Sequence, residues 1–143
     1  MRNPYGLAVD AATGRAYFTD NRDTVGDAVY ELEAGGNYGW AAQLLAREPL
    51  VLYDTPKGMA GMAVYRGSAL PELDGGVFYC AFHVGGGLFW VDASEGADVS
   101  TRNRRVTPGC TSGVVQGADG FLYYLAFFEG ALSRIARDPE ASP

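Results

Sequence analysis

Several residue groups in this chain have types and spacing that could do chemistry. The first is the acidic loop Asp20-Asn21-Arg22-Asp23-Thr24-Val25-Gly26-Asp27. Its three aspartates offer hard oxygen of the kind Ca²⁺ prefers, although the spacing is not that of an EF-hand loop. The plainer reading is an acidic turn whose Asp side chains bond their own backbone. The second is His83, the only histidine, which follows the apolar run Val77 to Phe82 and precedes Val84-Gly85-Gly86-Gly87. A histidine there could bind an anion or a metal or relay a proton; it could equally be an ordinary loop residue. The third is the pair Cys80 and Cys110. An oxidising compartment would permit a disulfide between them, and two buried free thiols are the favoured alternative. Other chemistries lack their motifs. The sequence has no Cys-x-x-Cys or Cys/His zinc spacing, and no Gly-x-Ser-x-Gly elbow. Gly85-Gly86-Gly87 lacks the helix and lysine of a phosphate loop.

The elements that would carry these residues recur. Gly6-Leu7-Ala8-Val9 is followed by a Thr-Gly turn and Ala16-Tyr17-Phe18-Thr19. Gly61-Met62-Ala63-Val64 is followed by Gly75-Gly76 and Val77-Phe78-Tyr79-Cys80. Gly113-Val114-Val115-Gln116 is followed by Asp119-Gly120 and Phe121-Leu122-Tyr123-Tyr124. A third apolar segment closes each unit, over Ala28 to Leu32, Leu88 to Val91 and Leu132 to Ile135. The period is roughly 50 residues, in the range of propeller blades. Short strands rich in Val, Tyr and Phe, separated by Gly-containing turns, read as antiparallel meanders. Pro49 to Tyr53 and Val99 to Val106 supply a fourth strand to the first two units. The third unit runs into the tail 138–143 without one. The expected fold is therefore all-β: a single partial propeller over 1–143, with blades at about 4–55, 56–107 and 108–137 and the last lacking its outer strand.

Composition agrees. Twenty glycines in 143 residues suit a turn-rich β protein, and 48% hydrophobic residues are enough for a packed core. The only helical expectation is one short turn over Ala41 to Arg47, ended by Pro49. No apolar run approaches the roughly 18 residues of a membrane helix. The net charge of −6 argues against a nucleic-acid surface. Arg102, Arg104 and Arg105, the one basic cluster, read as an exposed edge strand guarded against pairing. No membrane or nucleic-acid partner is expected. Met1 is followed at once by Arg2-Asn3-Pro4, without the apolar core of a signal peptide.

Arg2-Asn3-Pro4-Tyr5-Gly6-Leu7-Ala8, then Thr13-Gly14-Arg15-Ala16-Tyr17, the acidic loop, and Gly35-Gly36-Asn37-Tyr38-Gly39-Trp40 form a specific series. Together they resemble the glucose/sorbosone dehydrogenase family. That family comprises pyrroloquinoline-quinone (PQQ) dependent sugar dehydrogenases and their relatives, which are six-bladed β-propellers. Met62 to Gly67 with Leu70-Pro71-Glu72-Leu73 resembles a blade-opening strand. Gly117 to Tyr123 with Leu132-Ser133-Arg134-Ile135 resembles the closing blade. The resemblance implies a sugar substrate oxidised at C1, PQQ and Ca²⁺ as cofactors, and a periplasmic or secreted setting. It places Arg2, Asn3 and His83 as cofactor-binding residues, since a guanidinium fork suits carboxylates. His83 stands where the family has a lysine. It places Ca²⁺ at Asp20, Arg22 and Asp23, the last two through main-chain carbonyls where the family has Gly-Pro. The frayed-terminus alternative for Arg2, with Asn3 capping a turn, stays open.

A six-bladed ring needs far more than 143 residues, so the resemblance also implies that the chain is the C-terminal half of one. Two accounts fit: a piece of a longer reading frame, or a half-propeller that closes by pairing with a second copy. The missing blades or that copy are then its partners. The family's catalytic histidine belongs to a blade not represented here, and Gly109 to Gly113 carries none of the closing blade's arginines. No catalytic residue is expected in this chain, and no activity alone. Tyr17-Phe18-Thr19-Asp20 also resembles a strand of the gluconolactonase and strictosidine-synthase propellers, which include metal-dependent hydrolases. A third possibility is a non-enzymatic binding module. Trp40, Tyr53 and Trp90 would then line a surface instead of packing between blades.

Overall fold

The computed structural model describes residues 1–23, 26–39, 47–83, 86–98 and 101–137. Three antiparallel sheets follow one another along the chain. The first holds β1 (Pro4–Val9), β2 (Ala16–Asp20), β3 (Ala28–Leu32) and β4 (Val51–Leu52) in sequence order. The second repeats the pattern with β5 (Met59–Val64), β6 (Val77–Ala81), β7 (Gly87–Val91) and β8 (Asn103–Thr107). The third has only β9 (Val114–Gln116), β10 (Leu122–Ala126) and β11 (Ala131–Arg134). This is a partial propeller whose last blade has no outer strand among the described residues. A 3-10 turn at Pro71–Leu73 is the one helical element among the described residues. The helical turn expected over 41–47 falls almost wholly outside them, as do Val99 and Ser100 of the expected fourth strand.

The glycines that open the first two repeats have a packing reason. A Cβ on Gly6 would stand 2.3 Å from the Ala60 carbonyl oxygen. One on Gly61 would stand 2.8 Å from the Ser112 carbonyl and 2.9 Å from Gly113 Cα. The Gly61 amide donates to that Ser112 carbonyl at 2.8 Å. Inner strands of successive blades thus meet backbone to backbone, and only glycine leaves room. The register of β1 and of β5 shifts at these points, between Pro4 and Leu7 and between Met59 and Met62. A bulge bends a strand and re-aims its side chains, here beside the axis.

Two apolar layers join the blades. Ala8, Tyr17, Val29 and Val51 pack on Met59, Met62, Val77, Tyr79 and Val91 between the first and second. Tyr65, Leu70, Phe78 and Leu88 pack on Val114 and Leu122 between the second and third. Tyr53 and Trp90, weighed above as surface aromatics, belong to this packing. The Tyr53 hydroxyl lies 2.6 Å from that of Tyr79, and Asn103 Nδ2 donates to Tyr53 at 2.8 Å. Trp90 lies under the Arg104 guanidinium, 4.8 Å from ring centre to cation. Cys80 and Cys110 form a disulfide across the second layer, so the free-thiol expectation gives way. The end of β6 and the loop entering β9 bring their Cα atoms to 5.1 Å, inside the reach of a disulfide. Among the described residues, two sheet faces pack against no further blade. Leu7, Val9, Leu32 and Leu52 are exposed on the first, and Val115, Leu125 and Leu132 on the third.

Candidate functional site

In each meander the inner strand begins, and the second strand ends, at the same rim. That rim gathers Arg2 and Asn3 before β1, Asp20 to Asp23 after β2, Lys57 and Gly58 before β5, and His83 after β6. Buried carboxylates hold it together. Asp20 is fully buried, and its Oδ1 accepts the Arg2 and Asn3 amides, both at 2.8 Å. Asn3 in turn accepts the Asn21 amide at 3.0 Å. The Arg2 guanidinium reaches the Asn21 carbonyl at 3.2 Å and lies 3.8 Å from Asp23 Oδ1. Arg2 is therefore tied down, not frayed.

Asp27 does the same for the junction with the second blade. Its Oδ1 accepts the Arg22 amide at 2.9 Å, and its Oδ2 accepts the Lys57 and Gly58 amides at 2.6 and 2.8 Å. The Asn21 side chain bridges to Met59, accepting its amide at 2.7 Å and donating to its carbonyl at 2.8 Å. The His83 amide donates to the Lys57 carbonyl at 3.0 Å, and its ring lies over Gly58. A continuous hydrogen-bonded path thus links Arg2 and Asn3, through Asp20, Asn21 and Asp27, to Lys57 and His83.

One atom of this network is unpartnered. Asp20 Oδ2 is buried without a hydrogen-bond partner among the described residues. A buried carboxylate oxygen left this way is costly, and a hard cation is one means of satisfying it. The fit is limited to that oxygen and to main-chain carbonyls, because the described residues contain no cluster of three His, Cys, Asp or Glu side chains that could hold a metal. Asp23 is exposed and turned toward Arg2. Of the basic side chains here, the Arg2 guanidinium is held at the rim by Asn21 and Asp23, while the Lys57 ammonium lies over the Tyr53 ring, 5.1 Å from its centroid. Thr24 and Val25 of the acidic loop lie outside the described residues.

The sequence profile of the Glucose / Sorbosone dehydrogenase family matches residues 1–134. The chain belongs to the glucose/sorbosone dehydrogenase family. Similar solved structures include a glucose dehydrogenase at 25% identity, matched with a TM-score of 0.77 over 96% of this chain and 45% of that one. Another glucose dehydrogenase gives 26% identity and a TM-score of 0.72 over 86% of this chain and 40% of that one. The soluble aldose sugar dehydrogenase of Escherichia coli, in its apo form, shares the fold at 18% identity and a TM-score of 0.73, over 96% of this chain and 46% of that one. An uncharacterised Synechocystis protein is 25% identical over 142 aligned positions, which cover 87% of this chain and 34% of that protein. The family member described here thus spans between a third and a half of the length of these relatives.

The Gly-Gly-Asn-Tyr-Gly-Trp segment of this family member has a visible structural role up to Gly39. Tyr38 is buried against Phe18 and Tyr30, with ring centroids at 4.8 and 5.2 Å. Its hydroxyl donates to the Glu31 carbonyl at 3.1 Å. The N-terminal amine of Met1 donates to the Gly39 carbonyl. The segment between β3 and β4 thus meets the residue next to Arg2. Trp40 lies outside the described residues.

Sequence reasoning missed the cluster at the opposite rim. Asp10 follows β1, Arg66 follows β5 and Gln116 ends β9. The Arg66 guanidinium donates from Nε to Asp10 Oδ1 at 3.0 Å and from Nη2 to Oδ2 at 2.6 Å. Gln116 exchanges two hydrogen bonds with the Arg66 backbone, at 3.0 and 2.6 Å. The Arg66 bond, with help from Thr13 and the Ala12 amide, holds the Asp10 carboxyl far below the usual range. One residue from each inner strand's far end closes this junction. No local signal in the sequence marks this cluster, because the three residues do not stand at one shared position of the repeat.

Proposed function

We propose that this chain supplies half of the cofactor-bearing end of a PQQ-dependent sugar dehydrogenase that oxidises sugars at C1. It does so either as part of a longer protein or paired with a second copy. The observation that carries the reading is Asp20. One of its oxygens fixes the Arg2 and Asn3 backbone at the rim, and the other is buried without a hydrogen-bond partner among the described residues. In this reading Arg2, Asn3 and His83 contact the quinone. Asp20 and the carbonyls of Arg22 and Asp23 face Ca²⁺. Bound there, the quinone and Ca²⁺ would supply a two-electron acceptor polarised by a Lewis acid.

This chain's own part is binding and orientation. Arg2 presents a fork of donors to carboxylates. The buried Asp20 and Asp27 carboxylates hold the rim backbone rigid beneath it. In this reading the base that takes the proton from the substrate hydroxyl is supplied by the remaining blades, and a general base contributes on the order of 10²–10⁴-fold. The 143 residues are therefore expected to bind PQQ weakly in the presence of Ca²⁺, and to show no dye-linked sugar oxidation. Equilibrium titration with PQQ, with and without Ca²⁺, tests this. The reading requires Ca²⁺-dependent binding that Arg2→Ala weakens. Binding indifferent to both Ca²⁺ and Arg2→Ala, or turnover by the chain alone, would refute it.

A further inference from the structure

The two open faces, on the first and third blades, are the two halves of one kind of junction. In each repeat the residue after the opening glycine is turned toward the preceding blade. Met62 and Val114 stand there and are buried in the first and second apolar layers, at 8% and 7% exposure. Leu7 holds the same position in the first blade and is 63% exposed. The next residue is turned toward the following blade. Ala8 is buried in the first layer and Ala63 packs against the second. Val115, their counterpart in the third blade, is 60% exposed. Leu125 lies two residues past Tyr123, the cross-strand partner of Val115, so it shares that face, and it is exposed too. On the first blade Tyr38 already covers Phe18 and Tyr30. The open part there is Leu7 and Val9 on the inner strand, with Leu32 and Leu52. Contiguous apolar surface of this kind marks an interaction face.

The backbone makes the same demand. A Cβ on Gly6 would meet the Ala60 carbonyl, and one on Gly61 would meet the Ser112 carbonyl. Ala60 and Ser112 each stand just before the glycine of the next repeat. Gly113 meets no such carbonyl among the described residues. The nearest atom to a Cβ there is Leu125 Cδ1 at 3.6 Å, an ordinary contact. The residue just before the first repeat's glycine is Tyr5, which is exposed. Gly113 of one copy against the Tyr5 carbonyl of another continues the series.

A second copy fills both faces at once. Head-to-tail contacts build a ring when their rotation closes and an open filament when it does not. Three blades are half of the six-bladed ring that the family resemblance implies, and the chain spans 40–46% of the solved relatives above. Two copies therefore complete one turn. The two-fold axis then runs along the channel, and both copies turn Arg2, Asn3 and His83 to the same end.

We propose that two copies of this chain close a six-bladed ring, the Leu7 face of each packing on the Val115 face of the other. This takes the second of the two arrangements given above and does not depend on the cofactor. The test is gel filtration with multi-angle light scattering. The parent runs as one species of twice the 15.2 kDa chain mass. Gly113→Ala has room within its own chain but not against a second copy's backbone. It weakens the dimer at least about tenfold and leaves the circular dichroism spectrum unchanged. A short bismaleimide joins L7C/V115C chains into covalent dimers and leaves L7C or V115C alone unjoined, the native cysteines being held in their disulfide. A monomer, a ladder of larger species, a dimer indifferent to Gly113→Ala, or no cross-link in L7C/V115C each overturns the proposal. None of these outcomes touches the cofactor reading, which the PQQ titration tests on its own.

Discussion

Replacing Asp10 with alanine removes the junction that ties the far ends of β1 and β5. The carboxylate is 3% exposed, while the Arg66 side chain is 38% exposed. In the variant the guanidinium can rehydrate, so the cost falls below that of breaking a fully buried pair. Two charge-assisted hydrogen bonds to Arg66 are lost, and so are those from Thr13 Oγ1 and the Ala12 amide at 2.6 and 3.0 Å. Charged hydrogen bonds contribute about 1.5–3 kcal/mol each before such rehydration. A net loss of about 3 kcal/mol at pH 7 follows. The pH dependence has a definite sign. Asp10's folded pKa is depressed, so its contribution is full above its unfolded value near 3.9. It is lost as pH falls through the range below that value. Urea unfolding of the parent and Asp10→Ala at a series of pH values measures the difference directly. The gap should be about 3 kcal/mol at neutral pH and should close toward pH 2. A double-mutant cycle with Arg66→Met should show coupling of more than about 1 kcal/mol. A neutral-pH difference below about 0.5 kcal/mol, or one that does not shrink in acid, would refute the reasoning.

Three further outcomes follow from the packing. Reducing the Cys80–Cys110 disulfide, which spans 30 residues, should lower stability by about 3.5 kcal/mol on the loop-entropy model. Thiol labelling of the unreduced, unfolded chain should find no free cysteine. Gly61→Ala should cost about 1–3 kcal/mol by overpacking against Ser112 and Gly113, measured by the shift in urea midpoint; a neutral effect would mean the inner strands part easily. The exposed apolar faces of the first and third sheets should make the purified chain self-associate. Light scattering that shows a monodisperse, cooperatively melting monomer would contradict this.

The fold was legible because its repeat is written in short-range signals. Ala28 to Leu32 is β3 as read, and the runs opening at Gly6, Gly61 and Gly113 became the inner strands with changes of at most two residues at their ends. Fourth strands were harder, because an outer edge strand needs little apolar pattern: Pro49 to Tyr53 contracted to Val51–Leu52. Arg104 and Arg105 do sit exposed on β8, at the edge of their sheet. What the sequence could not show were partnerships across blades. Asp10 and Arg66 are 56 positions apart, and nothing local to either announces the other. The cysteines could not be paired without knowing that β6 and the loop into β9 converge. Phe82 read as the end of an apolar run, and nothing local to it announces Phe127 and Phe128, whose ring centroids lie 6.3 and 5.3 Å from its own. For Asp20 the sequence offered a ligand or a turn residue. The structure shows one oxygen fixing the turn and the other without a hydrogen-bond partner among the described residues.

The central claim is that the rim bearing Arg2, Asn3, Asp20 and His83 is the cofactor end of the propeller. Hydrogen-exchange mass spectrometry of the chain with Ca²⁺ and PQQ tests it most directly. Protection is expected in peptides covering 1–4, 19–23, 56–59 and 82–83, and Asp20→Asn should abolish it. Protection confined to the opposite rim around Asp10, Arg66 and Gln116, or none anywhere at saturating PQQ, would contradict the account.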